Sequence, residues 1–177
     1  MEKRIVFIVL TIAAILTTIF VINGKTKEGK TFDRSTVTNV DLNRYTGRWY
    51  EIARFPHSFE RGMTHTTANY SLLPDGSIKV VNAGRKANGQ YKEAVGRART
   101  TDTPGRLTVT FFIFPGEYNI MALDTVNYSY SMVGSRSKDY FWILARTPQL
   151  PKATLDALFD EATSRGYDLS ELIMVEQ

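Results

Sequence analysis

Few residues in this chain are of types suited to covalent or acid–base chemistry. His57 and His65 are the two histidines, Glu60 lies between them, and cysteine is absent altogether. A pair of histidines that far apart with one carboxylate between lacks the third fixed ligand of a metal centre. No serine is spaced to form, with these histidines and an aspartate, a nucleophile, base and orienting group. The missing cysteine removes thiol nucleophiles, disulfides, thiolate zinc sites and acylation at a lipobox. Glu51 alternates with Trp49 and Ala53, so it reads as a lone inward carboxylate, either raised in pKa by burial or hydrogen-bonded to a neighbouring Tyr or Arg. The two histidines read as surface residues. This inventory argues against an enzyme, a metal site or a cofactor. It favours binding through apolar contact, and the aromatic share of 12 % supplies large side chains for that purpose.

Those side chains need elements to hold them. Turn chemistry recurs at Asp75-Gly76, Asn88-Gly89, Pro104-Gly105 and Pro115-Gly116, with softer breaks near Val126-Asn127 and Ser137-Lys138. Between the turns lie stretches with a period of two, such as Leu107, Val109, Phe111 and Ile113 against Arg106, Thr108 and Thr110. Eight strands are expected, over 48–56, 64–73, 77–86, 90–101, 106–114, 117–124, 128–136 and 139–147. Short sequential connections favour an antiparallel up-and-down order, and eight strands so ordered can close around one small ligand. The predicted class is therefore all-β: an eight-stranded antiparallel up-and-down barrel. After Pro148 and Pro151, the spacing of Leu155, Leu158, Phe159 and Ala162 predicts one amphipathic helix ending at Gly166, packed on the outside of the barrel. Leu172 to Val175 is expected to add a short strand beside the first.

At the other end of the chain, Lys3 and Arg4 precede an uncharged apolar run from Ile5 to Ile22. Residues 1–22 read as a signal peptide or, given a length that suits a membrane span and no clear small-x-small site, an uncleaved signal anchor. Basic residues before the run would leave the N-terminus in the cytoplasm and the remainder outside it. Residues 23–40 read as a polar spacer. The 22 basic against 18 acidic residues give a formal +4, but they are scattered, so nucleic acid is not an expected partner.

The stretch Asp41-Leu-Asn-Arg-Tyr-Thr-Gly-Arg-Trp-Tyr-Glu-Ile-Ala-Arg-Phe resembles the opening motif of the lipocalins. Leu123-Asp124 with Tyr128 resembles the family's second motif, and Arg146 its third. Trp49–Phe55, Phe59-Glu-Arg-Gly, Tyr70-Ser-Leu and Trp142-Ile-Leu-Ala-Arg-Thr-Pro are similar to the bacterial outer-membrane lipocalins and their animal relative apolipoprotein D. The resemblance assigns residues 41–177 to one lipocalin domain. It implies a cup that takes up a fatty acid, lysophospholipid or similar amphiphile in the service of the bacterial envelope. The chain would be exported and held to a membrane facing the periplasm by its apolar leader, the outer membrane being one destination, with a homodimer left open. Such bacterial lipocalins are acylated at an N-terminal cysteine, from which this chain departs.

The resemblance also implies roles for residues. Gly47, Trp49, Asp124, Tyr128 and Arg146 would build the closed end, with Arg146 across the Trp49 ring. Alternation from Trp49 and Arg146 then places Ala53, Phe55, Leu144, Trp142 and Tyr140 on the cavity wall. The same parity adds Tyr70, Val109, Phe111, Tyr118 and Ile120, with Ala94, Gly96 and Ala98 leaving room for the ligand. Pro56 to Thr66, carrying Phe59 and Met63, would be a lid, a membrane-touching loop or a plain solvated loop. The alternative function is a non-binding structural or interaction module whose barrel is filled.

Overall fold

Asp41 begins the barrel by accepting a hydrogen bond from the Asn43 backbone N–H at 2.9 Å. This caps a one-turn helix α1, Leu42–Tyr45, by the usual side-chain mechanism. Gly47 follows at φ +91°, a left-handed conformation that a side chain resists, and turns the chain into the first strand. The computed structural model describes residues 32–177. The expected leader and the first part of the expected spacer lie outside the described residues.

The strands are β1 Gly47–Arg54, β2 Thr64–Leu72, β3 Ile78–Arg85, β4 Tyr91–Thr100, β5 Arg106–Phe111, β6 Phe114–Leu123, β7 Tyr130–Gly134 and β8 Phe141–Ala145. Each pairs antiparallel with the next, and β1 pairs with both β2 and β8, so the sheet closes as expected. A short β9, Ile173–Met174, adds to β1 beside Ala53 and Arg54. Helix α2, Lys152–Ser164, buries Leu158 and Ala162 against the outer face. There Ile52, Met132, Phe141, Ile143 and Tyr167 form a second core, separate from that inside the barrel.

Three local features differ from expectation. The β5–β6 turn is Phe112-Ile113, not Pro115-Gly116, since Phe111 pairs with Phe114 and Thr110 with Pro115. A proline is tolerated there because β7 begins pairing only at Asn119, which leaves the first half of β6 an edge. Ile113, expected on one strand face with Leu107, Val109 and Phe111, therefore sits at an exposed turn. Second, a β-bulge in β1 between Glu51 and Ala53 shifts the register against β8. Third, the described part of the expected spacer is docked: Asp33 and Val37 N–H donate to the Arg165 and Ile120 carbonyls at 3.0 and 2.9 Å, and Arg34 pairs with Glu117 at 2.9 Å.

An up-and-down order sorts the loops into two ends. The β2–β3, β4–β5 and β6–β7 loops meet at the end that α1 closes, where Arg44 donates to the carbonyls of Thr125 and Val126. The other four loops surround the open mouth.

Candidate functional site

The floor is built from the residues of the three motifs. Trp49 is fully buried, its indole N–H donating to the Tyr45 carbonyl at 2.8 Å. Arg146 lies over its ring at 3.9 Å and donates to the carbonyls of Arg48, Arg44 and Tyr128. Gly47 permits this, because a Cβ there would stand only 3.3 Å from the guanidinium. Asp124 accepts from the N–H groups of Val126 and Asn127 and from the Ser129 hydroxyl, which holds its carboxyl down at about 2. Tyr128, at φ +55°, accepts from the Asp41 N–H.

Above the floor lies a layer of tyrosines. Tyr118 shares hydrogen bonds with Tyr45 and Tyr70 at 2.8 and 3.0 Å, and Tyr45 also meets Ser131 at 3.1 Å. Burial lifts Tyr45 to about 12 and drives Tyr70 and Tyr118 well above the phenol range, so all three remain protonated hydrogen-bonding groups. Ile120 and Leu144 pack into this same inner core.

The upper wall comes from β5, β6 and β8. Val109, Phe111, Tyr118 and Trp142 pack against the inner core but keep accessible surface, whereas Trp49, Ile120 and Val133 are sealed. Of the small residues expected to leave room, Ala98 belongs to the inner core, and the space at Gly96 is taken by the Phe111 ring, which would lie 2.8 Å from an added Cβ. The Phe111 ring thus stands against the β4 backbone at Gly96.

Two of the residues expected on the wall are not there. Ala53 and Phe55 stand on the outside, in the core beneath α2, with Phe55 packed on Phe141 at 5.3 Å. The bulge is the reason: Glu51 pairs with Leu144 on the inner face, but Ala53 pairs with outward Ile143 and Arg54 with inward Trp142. One additional residue inverts the parity of everything after it. Tyr140 lies at the rim instead of the wall, 38 % exposed and stacked at 6.1 Å on Trp142.

What the bulge turns inward is Arg54, a residue that alternation assigned to the outside. Its guanidinium donates to Glu51 at 2.7 Å and to the carbonyls of Glu60 and Met63 at 3.0 and 3.1 Å. Arg54 thereby folds the β1–β2 loop back over the mouth. His57, Glu60 and Met63 are buried by this, and His57 is not the surface residue the sequence suggested, while His65 is exposed. Phe59 stacks on His57 at 3.8 Å, and Lys92 holds the Phe59 carbonyl from across the mouth at 2.7 Å. The Trp142 indole N–H reaches Glu60 at 3.5 Å. Burial, reinforced by the charge of Glu60, keeps the Glu51 carboxyl well above the glutamate range against the pull of Arg54.

Several buried polar atoms of the lid, β2 and β3 are left over. His57 Nε2 lies 3.0 Å from Glu60 but is not aligned to bond with it. Among the described residues, neither ring nitrogen of His57, nor Thr66 Oγ1, nor Asn82 Oδ1, meets a well-placed partner. Nothing in the local sequence marks Arg54 as inward, because the bulge carries no glycine to announce it. No group of three or more His, Cys, Asp or Glu side chains among the described residues is disposed to hold a metal ion.

Comparison with known proteins agrees with this geometry. A family model described as "Lipocalin-like domain" matches residues 40–177. The chain is 43 % identical over 145 residues to an outer membrane lipoprotein Blc of Vibrio cholerae, covering 80 % of this chain and 85 % of that one. It is 37 % identical over 158 residues to apolipoprotein D of Macaca fascicularis, covering 84 % and 83 %. The solved structure of insecticyanin from the tobacco hornworm Manduca sexta shares the fold with a TM-score of 0.69 at 22 % identity, over 84 % of this chain and 87 % of that one.

Proposed function

This chain belongs to the lipocalin family, and on that premise we propose that it binds and carries a single-chain amphiphile, a fatty acid or lysophospholipid, at the bacterial cell envelope. The observation that carries this is the upper wall. Val109, Phe111, Tyr118 and Trp142 face inward with accessible surface beneath a folded lid, above a floor that is sealed. An acyl chain entering there gains on the order of 0.8 kcal/mol per CH₂ before ordering costs. The tyrosine layer sets how deep the chain can reach, and polar groups of the lid stand where a head group would rest. Loop β1–β2 must swing out for entry, with Arg54 and Lys92 as its latches.

The names of the bacterial relatives support an envelope location, and the run Ile5–Ile22 supplies a means of export and attachment that requires no cysteine. A second reading keeps the barrel as a non-binding module, and the packing of Arg54, Glu60 and Met63 inside the mouth favours it. Native mass spectrometry of residues 32–177 with lipid extraction, followed by titration of a fluorescent fatty acid, separates the two. A co-purifying acyl lipid and saturable uptake support the carrier; an empty barrel that takes up no amphiphile favours the module.

A further inference from the structure

Strand register gathers on the outside of the barrel cations that the sequence scatters. Ile78, Val80, Ala98 and Leu107 point to the inner core, so their neighbours in the chain point outward. On that outer face Lys79 of β3 stands directly across from Arg97 of β4, and Arg97 across from Thr110 of β5. Two residues further along β4, Arg99 faces Thr108. Directly opposed positions lie about 5 Å apart, a separation at which like charges destabilise a sheet. Lys79 against Arg97 therefore works against folding, and the fold does not explain the pair. All five side chains line one open furrow of about 770 Å³.

The two arginines are already arranged around an anion. Asp75 Oδ2 accepts from Arg97 at 2.8 Å and from Arg99 at 3.4 Å, so both guanidinium groups converge on one oxygen. The Ser77 N–H and hydroxyl fix the other oxygen of Asp75 at 3.1 and 2.5 Å, which holds that carboxylate at the edge of the furrow. Lys79 makes no ion pair among the described residues. Three cations against one carboxylate leave an excess of two positive charges.

That excess selects the chemistry of a ligand. A phosphate monoester carries a charge of about −1.5 to −2 at neutral pH and presents three acceptor oxygens. A carboxylate or a phosphodiester brings a single charge and leaves the furrow half neutralised. Guanidinium forks suit phosphate oxygens, and an ammonium serves as a point charge beside them. The volume exceeds what a bare phosphate fills, and Val95 and Leu73 add apolar wall for whatever bears it.

We propose that the outer furrow of β3, β4 and β5 is a second binding site, separate from the barrel interior, that takes a phosphate monoester through Lys79, Arg97 and Arg99. Free phosphate and the head group of a lipid such as phosphatidic acid share this chemistry. Occupancy turns the repulsion across β3 and β4 into attraction, so the ligand also stabilises the sheet.

The test uses the full chain in an uncharged detergent, dodecyl maltoside. Calorimetric titrations with inorganic phosphate, dihexanoyl phosphatidic acid and dihexanoyl phosphatidylcholine are run on the parent and on Val109→Trp, which fills the barrel. They are repeated on the double variant Lys79→Gln, Arg97→Gln. The monoester probes should bind saturably and equally in parent and Val109→Trp, and the phosphodiester of phosphatidylcholine should not. Affinity should fall at least about tenfold in the double variant. The urea midpoint of that variant should not fall, because a like-charge pair is removed, and added phosphate should raise the midpoint of the parent alone. Equal affinity for phosphate and phosphatidic acid assigns the site to the free ion, and several-fold tighter binding of the lipid assigns it to a head group. The absence of saturable binding by either monoester overturns the site, as does undiminished binding in the double variant or equal binding of phosphatidylcholine. Binding lost in Val109→Trp places the ligand inside the barrel, which overturns the outer site and leaves the carrier reading intact.

Discussion

The guanidinium of Arg146 lies 3.9 Å over the indole of Trp49 and spends its N–H groups on the carbonyls of Arg44, Arg48 and Tyr128. One side chain thus joins α1, β1 and the β6–β7 loop across the closed end. Lysine keeps the charge but has neither the plane nor the fork. Arg146→Lys is expected to lower unfolding free energy by about 2 kcal/mol in a urea titration, with ligand affinity of the folded protein unchanged.

Asp124 ties the β6–β7 turn at the same end, and the Ser129 hydroxyl followed by the Asn127 N–H holds its carboxyl down at about 2. A depressed carboxyl stabilises the fold fully above its unfolded pKa, near 3.8, and that contribution disappears as pH falls through about 2. Asp124→Ala should cost about 1–2 kcal/mol at neutral pH. The deficit relative to the parent should shrink between those two pH values, as read by denaturation at each.

Glu51 has the opposite sign. Its folded-state pKa is raised by burial and then by Glu60, so the native protein binds a proton that the unfolded chain releases near 4.5. Stability should therefore fall as pH rises from 4.5 towards the raised value. Glu51→Gln should flatten that decline, and a thermal-unfolding series across pH that showed the same slope in both proteins would contradict the assignment.

Ala53 is sealed between β1 and α2, and Val109 lines the upper wall. Ala53→Leu should cost about 1–3 kcal/mol by overpacking and leave fatty-acid affinity intact. Val109→Trp should do the reverse, blocking uptake while the fold persists. Parallel titrations of a fluorescent fatty acid and of urea distinguish the two.

Trp142 bridges wall and lid, stacking on Tyr140 and reaching His57 and Glu60. Trp142→Ala is expected to weaken fatty-acid binding roughly tenfold, about 1.4 kcal/mol, through lost contact area. An unchanged affinity would move the ligand away from β8.

Alternation, turn residues and three short motifs were enough to read a closed barrel with one outer helix. The reason is that a period of two and recurrent hairpin turns are local properties, and closure follows from their number. The closed-end group of Gly47, Trp49, Asp124, Tyr128 and Arg146 came from the resemblance to the lipocalin motifs and not from alternation or spacing. Tyr70, Val109, Phe111, Tyr118, Ile120, Trp142 and Leu144 fall on the inner face because their strands keep parity up to those positions.

Where the sequence fell short, the deciding contacts were distant ones. The bulge at Ile52 lies where β1 has left β2 after Tyr50 and takes up the C-terminal β9 at Ala53, and no residue in Glu-Ile-Ala-Arg demands it. It moved Ala53 and Phe55 outside and brought in Arg54, which in turn folded His57, Glu60 and Met63 into the mouth. Likewise Pro115-Gly116 has the local chemistry of a turn, but pairing of Thr110 with Pro115 placed the turn at Phe112. The amino-acid sequence by itself determined which strands form and that they close. Tertiary structure alone decided which side chains the closed barrel encloses, because the inward face of a strand depends on partners far away in the chain.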